Sequence, residues 1–229
     1  MSLKEIMHNN LQKEKKKLKE MTFKKKCEYI WEYYKVHIIV TLIFILFSSS
    51  LGYSIYQNVK YDDILTSAII NNSMSDENRN YISNGFAEYY ELDKESETIL
   101  FDDTFHIDLD TPNESTYAST QKFAAMVAAK SMDTTIADIS FFENYADEGT
   151  FYDLSTLLPE DLYAQVEDYL YYAKDEEGKE KPFGLNLSSS HLVKGAGLYI
   201  KPPILSVVIN SKHPDVAIEF IKYAFNIPN

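Results

Sequence analysis

The chain has 229 residues with 45% hydrophobic and 25% charged side chains, a composition that supports a folded core and excludes global disorder. The net charge of −13 is unevenly spread: residues 1–35 carry ten lysines and five glutamates, and residues 36–56 carry no charged side chain. Residues 57–229 carry 12 basic against 30 acidic side chains, a balance that repels phosphate and excludes nucleic acid as a partner.

Three parts follow from that step in charge: a basic segment over 1–35, an apolar helix over 36–56 and an acidic α/β body over 57–229. In the basic segment Leu3, Ile6, Met7, Leu11, Leu18 and Met21 form a thin apolar stripe between lysines. It reads as a helix lying on anionic lipid, or equally as a solvated tail that fixes topology. The next stretch, VHIIVTLIFILFSSSLGYSIY, is long enough as a helix to cross about 30 Å of hydrocarbon. Trp31, Tyr33 and Tyr34 stand at one end and Tyr53 and Tyr56 at the other, where amphipathic rings favour the headgroup boundary. The lysines before it direct residues 1–35 to the cytoplasm and the acidic body outside the cell membrane. Ser48, Ser49 and Ser50 leave cleavage as a signal peptide open as an alternative. Cys27 is the one cysteine and precedes the span, so the body has neither a disulfide nor a cysteine metal cluster. Lysine outnumbers arginine 21 to 1, and Asn, Ile and Tyr are abundant, as codon usage in an AT-rich bacterial genome produces.

In the body, strand-like and helix-like stretches alternate. ILTSAII (64–70) is a short apolar strand, and NNSMSDEN opens a helix that runs to about Tyr90. TILFDDTF (98–105) is a second strand and 112–130 a helix with Phe123, Met126 and Val127 on one face. TTIADI (134–139) is a third strand. Residues 160–173 place Leu162, Val166, Tyr169, Leu170 and Ala173 at helical spacing. KPFGLNL (181–187) and LSVVIN (205–210) are further strands. The last helix opens on Pro214, suited to a first helical position. Alternating strands and helices predict an α/β domain with a mostly parallel sheet covered on both faces.

In open α/β sheets ligands bind beyond the carboxyl ends of strands. Those ends offer Asn71, Asn72 and Ser73 after the first strand, Asp102 and Asp103 after the second, and Asp138 to Phe142 after the third. The candidate ligand-binding residues are Asn72, Ser73, Asp138, Ser140, Phe141 and Phe142, with a phenylalanine at the rim to stack on a sugar. The competing assignment makes Asp138 or Ser140 a helix cap and the two phenylalanines core. Asp102, Asp103, His106, Asp108 and Asp110 lie close in sequence but fail the EF-hand spacing at Pro112 and Asn113. Alternating Phe105, Ile107 and Leu109 read there as a strand edge with acids facing water. No GxSxG, HExxH or P-loop occurs, and His37, His106, His191 and His213 form no triad spacing, so the expectation is a non-enzyme with no cofactor or metal.

The run FAAMVAAKSMDTTIADISFFENYADEGTFYDLSTLLP (123–159), with KPFGLNL and LSVVINSKHPDVAIEFIKYAF, resembles the extracellular solute-binding proteins of bacterial ABC importers. The resemblance is a pattern of strand, acidic turn, aromatic-rich helix and glycine. It implies one three-layer lobe of the periplasmic-binding-protein (Venus-flytrap) fold, because only about 20 residues, Leu185 to Ile204, separate the two crossing segments. It further implies recognition of a small molecule or glycan in or beside an ABC uptake system, with a permease or another membrane protein as partner. A lobe without its facing half suits a second role, as a protein-interaction or accessory subunit of an envelope complex.

Overall fold

The structure is a computed structural model and describes residues 21–60, 62–93 and 95–228. The chain divides into two compact units, Met1–Lys60 and Tyr61–Asn229.

In the first unit, helix α1 runs without a break over Phe23–Lys60, 38 residues, or about 57 Å at 1.5 Å per residue. Its stretch Phe23–Ser54 is long and apolar enough to cross a membrane, and none of its most apolar window is buried. A single apolar helix near the N-terminus is compatible with a membrane or signal anchor. The helix begins well before residue 36, so Phe23–Lys35 continues the rod. The rest of the expected basic helix, residues 1–20, lies outside the described residues.

The second unit is mixed α/β. Its elements are β1 (Asp62–Ile70), α2 (Asp76–Tyr89), β2 (Glu97–Phe105), α3 (Glu114–Ala128), β3 (Thr134–Ala137) and α4 (Ile139–Asp147). There follow α5 (Leu154–Leu157), α6 (Glu160–Val166), β4 (Leu170–Lys174), β5 (Glu180–Asn186), α7 (Leu192–Gly195), β6 (Ile204–Val207) and α8 (Pro214–Ala224). Short polar side chains start the helices: Ser75 accepts from the Asn78 amide, Asn113 from Thr116 and Asp138 from Phe141. Each satisfies a backbone donor that the first helical turn leaves unpaired.

The six strands form one sheet in the order β2-β1-β3-β6-β5-β4. β1 is parallel to β2 and β3, whereas β6 is antiparallel to both β3 and β5, and β4 is antiparallel to β5. The expectation of a mostly parallel sheet is therefore corrected to a mixed one. Two strands run against the others: β6, antiparallel to β3 and β5, and β4, read from sequence as the end of a helix over 160–173. The helix stops at Val166, a 3-10 turn covers Glu167–Tyr169, and Leu170–Lys174 pairs with β5 in a hairpin. The Asp175–Lys179 turn closes it, with Gly178 at φ +76° and the Asp175 carboxylate accepting from the Glu177 and Lys179 amides. β3 is shorter than expected because Asp138 leaves the strand to cap α4.

Each face of the sheet carries its own core. On one face Leu65, Ile69, Ile136 and Val207 pack with Phe86 of α2, Leu162 of α6 and Phe220 and Ile221 of α8. On the other, Ala68, Ile70, Ala137 and Ile204 pack with Phe123 of α3 and Phe141 and Phe142 of α4. Burial of each such large side chain contributes about 1.5–3 kcal/mol.

Candidate functional site at the carboxyl edge of the sheet

Because β1, β2 and β3 are parallel, their carboxyl ends share one edge, with Ile70 beside Phe105 and Ile69 beside Ile136. A cleft of about 350 Å³ opens there, lined by Asn71, Ile107, Asp108, Asp138, Ser140 and Phe141 together with Leu109 and Asp110.

Asn71 organises this edge. It sits at φ 58°, a left-handed conformation that asparagine tolerates better than most residues. Its Nδ2 donates to the Ile107 carbonyl at 2.7 Å and to Asp138 Oδ2 at 3.0 Å, and its Oδ1 accepts from the Ile107 amide at 2.8 Å. One side chain thus gathers the ends of β1, β2 and β3. Asp138 uses its other oxygen, Oδ1, to accept from the Phe141 amide at 2.9 Å and start α4. β2 ends at Phe105, so the strand edge expected through Leu109 is instead a loop whose Ile107 is buried and held by Asn71.

The charge of the cleft is negative. Asp108 accepts from the Asp110 amide at 3.0 Å, the Thr111 amide at 2.9 Å and the Thr111 hydroxyl. The Thr111 hydroxyl and amide, and then the Asp110 amide, hold the Asp108 carboxyl below its usual range. Both Asn71 amide hydrogens are engaged, so the lining offers chiefly acceptors, with the exposed Ser140 hydroxyl as a further donor or acceptor. Such a surface suits a ligand rich in donors.

The predicted site residues separate into those the cleft unites and those it does not. Asp138, Ser140 and Phe141 line it. Phe141 and Phe142 are each 1% exposed, so neither offers a ring face at the rim. Phe141 packs on Phe123 and Tyr145, with centroids 5.3 and 4.3 Å apart. Phe142 stacks on Phe151 at 5.9 Å. Asn72 is buried on the other side of the β1 end. Its Nδ2 donates to the Gly197 carbonyl at 3.2 Å and its Oδ1 accepts from the Tyr199 amide at 2.7 Å. Ser73 is exposed beside it. Asn72 thereby fixes the loop between β5 and β6, where Leu198 and Ile200 are buried and Tyr199 stands 74% exposed.

The remaining acids are committed elsewhere. Asp103 is buried, accepts from the Met74 amide at 2.6 Å and pairs with Arg79 at 2.9 Å. Asp102 pairs with Lys122 at 2.6 Å. Burial alone would raise the Asp102 carboxyl, but hydrogen bonds from Lys122 and Thr104 outweigh it and hold it low. Among the described residues no group of three or more His, Cys, Asp or Glu side chains could hold a metal ion.

Sequence reasoning named the strand ends but did not select Asn71, Asp108 and Asp110 as candidate ligand-binding residues. The usable signal was position: Asp108 and Asp110 follow a strand parallel to β1 and so reach the same edge. Comparison of the chain with protein-family models, curated proteins and solved structures returns no match.

Proposed function

We propose that this chain is a membrane-anchored extracytoplasmic binding protein whose α/β unit recognises a small molecule or glycan, in or beside an ABC uptake system. The observation that carries this reading is the cleft of about 350 Å³ at the joined carboxyl ends of β1, β2 and β3, where open α/β sheets bind ligands. Its acceptor-rich lining favours hydroxyl or amine groups, recognised by hydrogen bonds and not by stacking on Phe141 or Phe142. Helix α1 supports the anchor, and its lysine-rich start supports a cytoplasmic N-terminus. The test is a thermal-shift titration of the full chain in lipid nanodiscs against monosaccharides, oligosaccharides, amino acids and short peptides. A saturable shift lost in Asp110→Asn is expected, since Asp110 lines the cleft without capping a helix. No shift with any of these classes overturns the reading.

One observation favours a second reading, an accessory subunit that docks on a membrane protein. Tyr199 is 74% exposed on a loop whose backbone Asn72 pins, and rigid exposed tyrosines are enriched at protein interfaces. A photo-crosslinking residue at position 199 that captures no membrane protein in intact cells removes this reading.

A further inference from the structure

In the order β2-β1-β3 the chain leaves β1 and β3 toward opposite faces of the sheet. Ile82 and Phe86 of α2, which follows β1, pack on one face, and Phe141 and Phe142 of α4, which follows β3, pack on the other. Such a reversal opens a crevice between the two strand ends, and open α/β sheets bind ligands there. The loop after β3 forms one wall, with Asp138 and Ser140 in the cleft of about 350 Å³. The loop after β1 forms the other, where Asn72 holds the backbone of residues 197–199.

Tyr199 stands on that second wall. Its side chain is 74% exposed, more than any other large hydrophobic of the α/β unit among the described residues. Its backbone is nevertheless fixed. The Tyr199 amide donates to Asn72 Oδ1 at 2.7 Å, the Leu198 amide to the Val193 carbonyl at 3.1 Å, and Leu198 and Ile200 are buried on either side. This contact keeps the Cα atoms of Tyr199 and Asn71 within about 12 Å of each other. The surrounding residues are buried (Asn72, Leu198, Ile200) or exposed and polar (Ser73, Lys201). The ring is therefore a single apolar plane in polar surroundings, the size of one sugar face and not of the apolar core of a protein interface.

We infer that Tyr199 is the stacking wall of the ligand site and that the ligand is an oligosaccharide. One sugar lies on the Tyr199 ring while the next donates hydroxyls to Asp110 and Asp138 in the cleft. The inference rests on the ligand-binding reading of the cleft. Each wall supplies what the other lacks. The cleft offers acceptors but no ring face, since Phe141 is 1% exposed, and the second wall offers the ring. A sugar matches both, with hydroxyl donors around its edge and C–H groups that meet the negative face of an aromatic ring.

The test is calorimetric titration of the full chain in lipid nanodiscs. The probes are glucose and N-acetylglucosamine, their linear trisaccharides (maltotriose, cellotriose and chitotriose), and amino acids and short peptides alongside. At least one trisaccharide is expected to bind about tenfold more tightly than its monosaccharide. Tyr199→Ala removes an exposed ring and keeps the backbone contacts to Asn72. It weakens that trisaccharide roughly three- to tenfold and leaves the monosaccharide unchanged. Tyr199→Phe retains the parent affinity, and Asp110→Asn weakens both sugars. A trisaccharide that binds no more tightly than its monosaccharide overturns the inference and leaves the cleft reading in place. So does a Tyr199→Ala chain that binds the trisaccharide as the parent does, or loses affinity for both sugars equally. Binding confined to amino acids or peptides also overturns the inference alone. No binding of any probe overturns the cleft reading and the inference with it.

Discussion

The Asn71 amide donates to the Asp138 carboxylate at 3.0 Å, across the carboxyl ends of β1 and β3. The same side chain closes a two-point contact with the Ile107 backbone, so three parallel strand ends and one helix cap meet on a single residue. Asn71 and Asp138 both line the cleft.

Asn71→Ala removes three hydrogen bonds and places at φ 58° a residue that tolerates the left-handed region less well than asparagine. With net contributions of about 1 kcal/mol per bond, partly offset by water at this exposed site, a loss of about 2–3 kcal/mol is expected. Asn71→Gly recovers the backbone part. Urea unfolding of the three proteins measures the difference.

Asn72→Ala acts on the other side of the same strand end. It leaves the Gly197 carbonyl and the Tyr199 amide without their partner, at a cost of about 1–3 kcal/mol. Hydrogen exchange is expected to accelerate at Tyr199 and Leu198 while the Asn71 side retains its protection. Uniform acceleration across the sheet would contradict a local role.

Phe142 is predicted to be a stability residue. Phe142→Ala opens a core cavity and costs about 3–5 kcal/mol. The reverse perturbation is Gly184→Ala, whose added Cβ would lie 2.4 Å from Ile204 Cγ2 and 2.8 Å from Phe142 Cε2. That crowding costs about 1–3 kcal/mol. Thermal melts read both changes, and a Phe142→Ala protein of unchanged stability would refute the core assignment.

His191 sets a pH dependence. Burial pushes its imidazole below the usual 6.5, against a hydrogen bond with the Ala224 carbonyl that favours the charged form. A base with a depressed folded-state pKa is protonated first in the unfolded chain. Stability therefore falls as pH drops below about 6.5 and levels off below the folded value. His191→Gln is expected to flatten the melting temperature across that window. An unchanged slope would assign the dependence to other groups.

The strands β1, β2, β3, β5 and β6 were legible from sequence because each is a short apolar run bounded by turn or cap residues. The start of α2 within NNSMSDEN was legible for the same local reason, whereas for α4 the sequence offered Asp138 or Ser140 and the structure selects Asp138. The strand β4 was not. Leu170 and Ala173 fit helical spacing as well as a strand, and only pairing with β5, closed by the Gly178 turn, decides between them. The site was half legible. Parallel strand ends located the edge, but Phe141 and Phe142 follow Asp138 so closely that sequence leaves open whether they face a ligand or the core.

By itself the sequence determined the apolar N-terminal helix, the step from a basic to an acidic segment, the α/β alternation and the start signals of α2 and α8. These depend on spacing and charge within a few turns of chain. Tertiary structure alone decided the order of the sheet, its antiparallel half, the burial of both phenylalanines and the meeting of Asn71, Ile107 and Asp138. Those contacts join residues 36 and 67 positions apart, and hydrogen bonds across such separations depend on which strands become neighbours, which local periodicity does not encode.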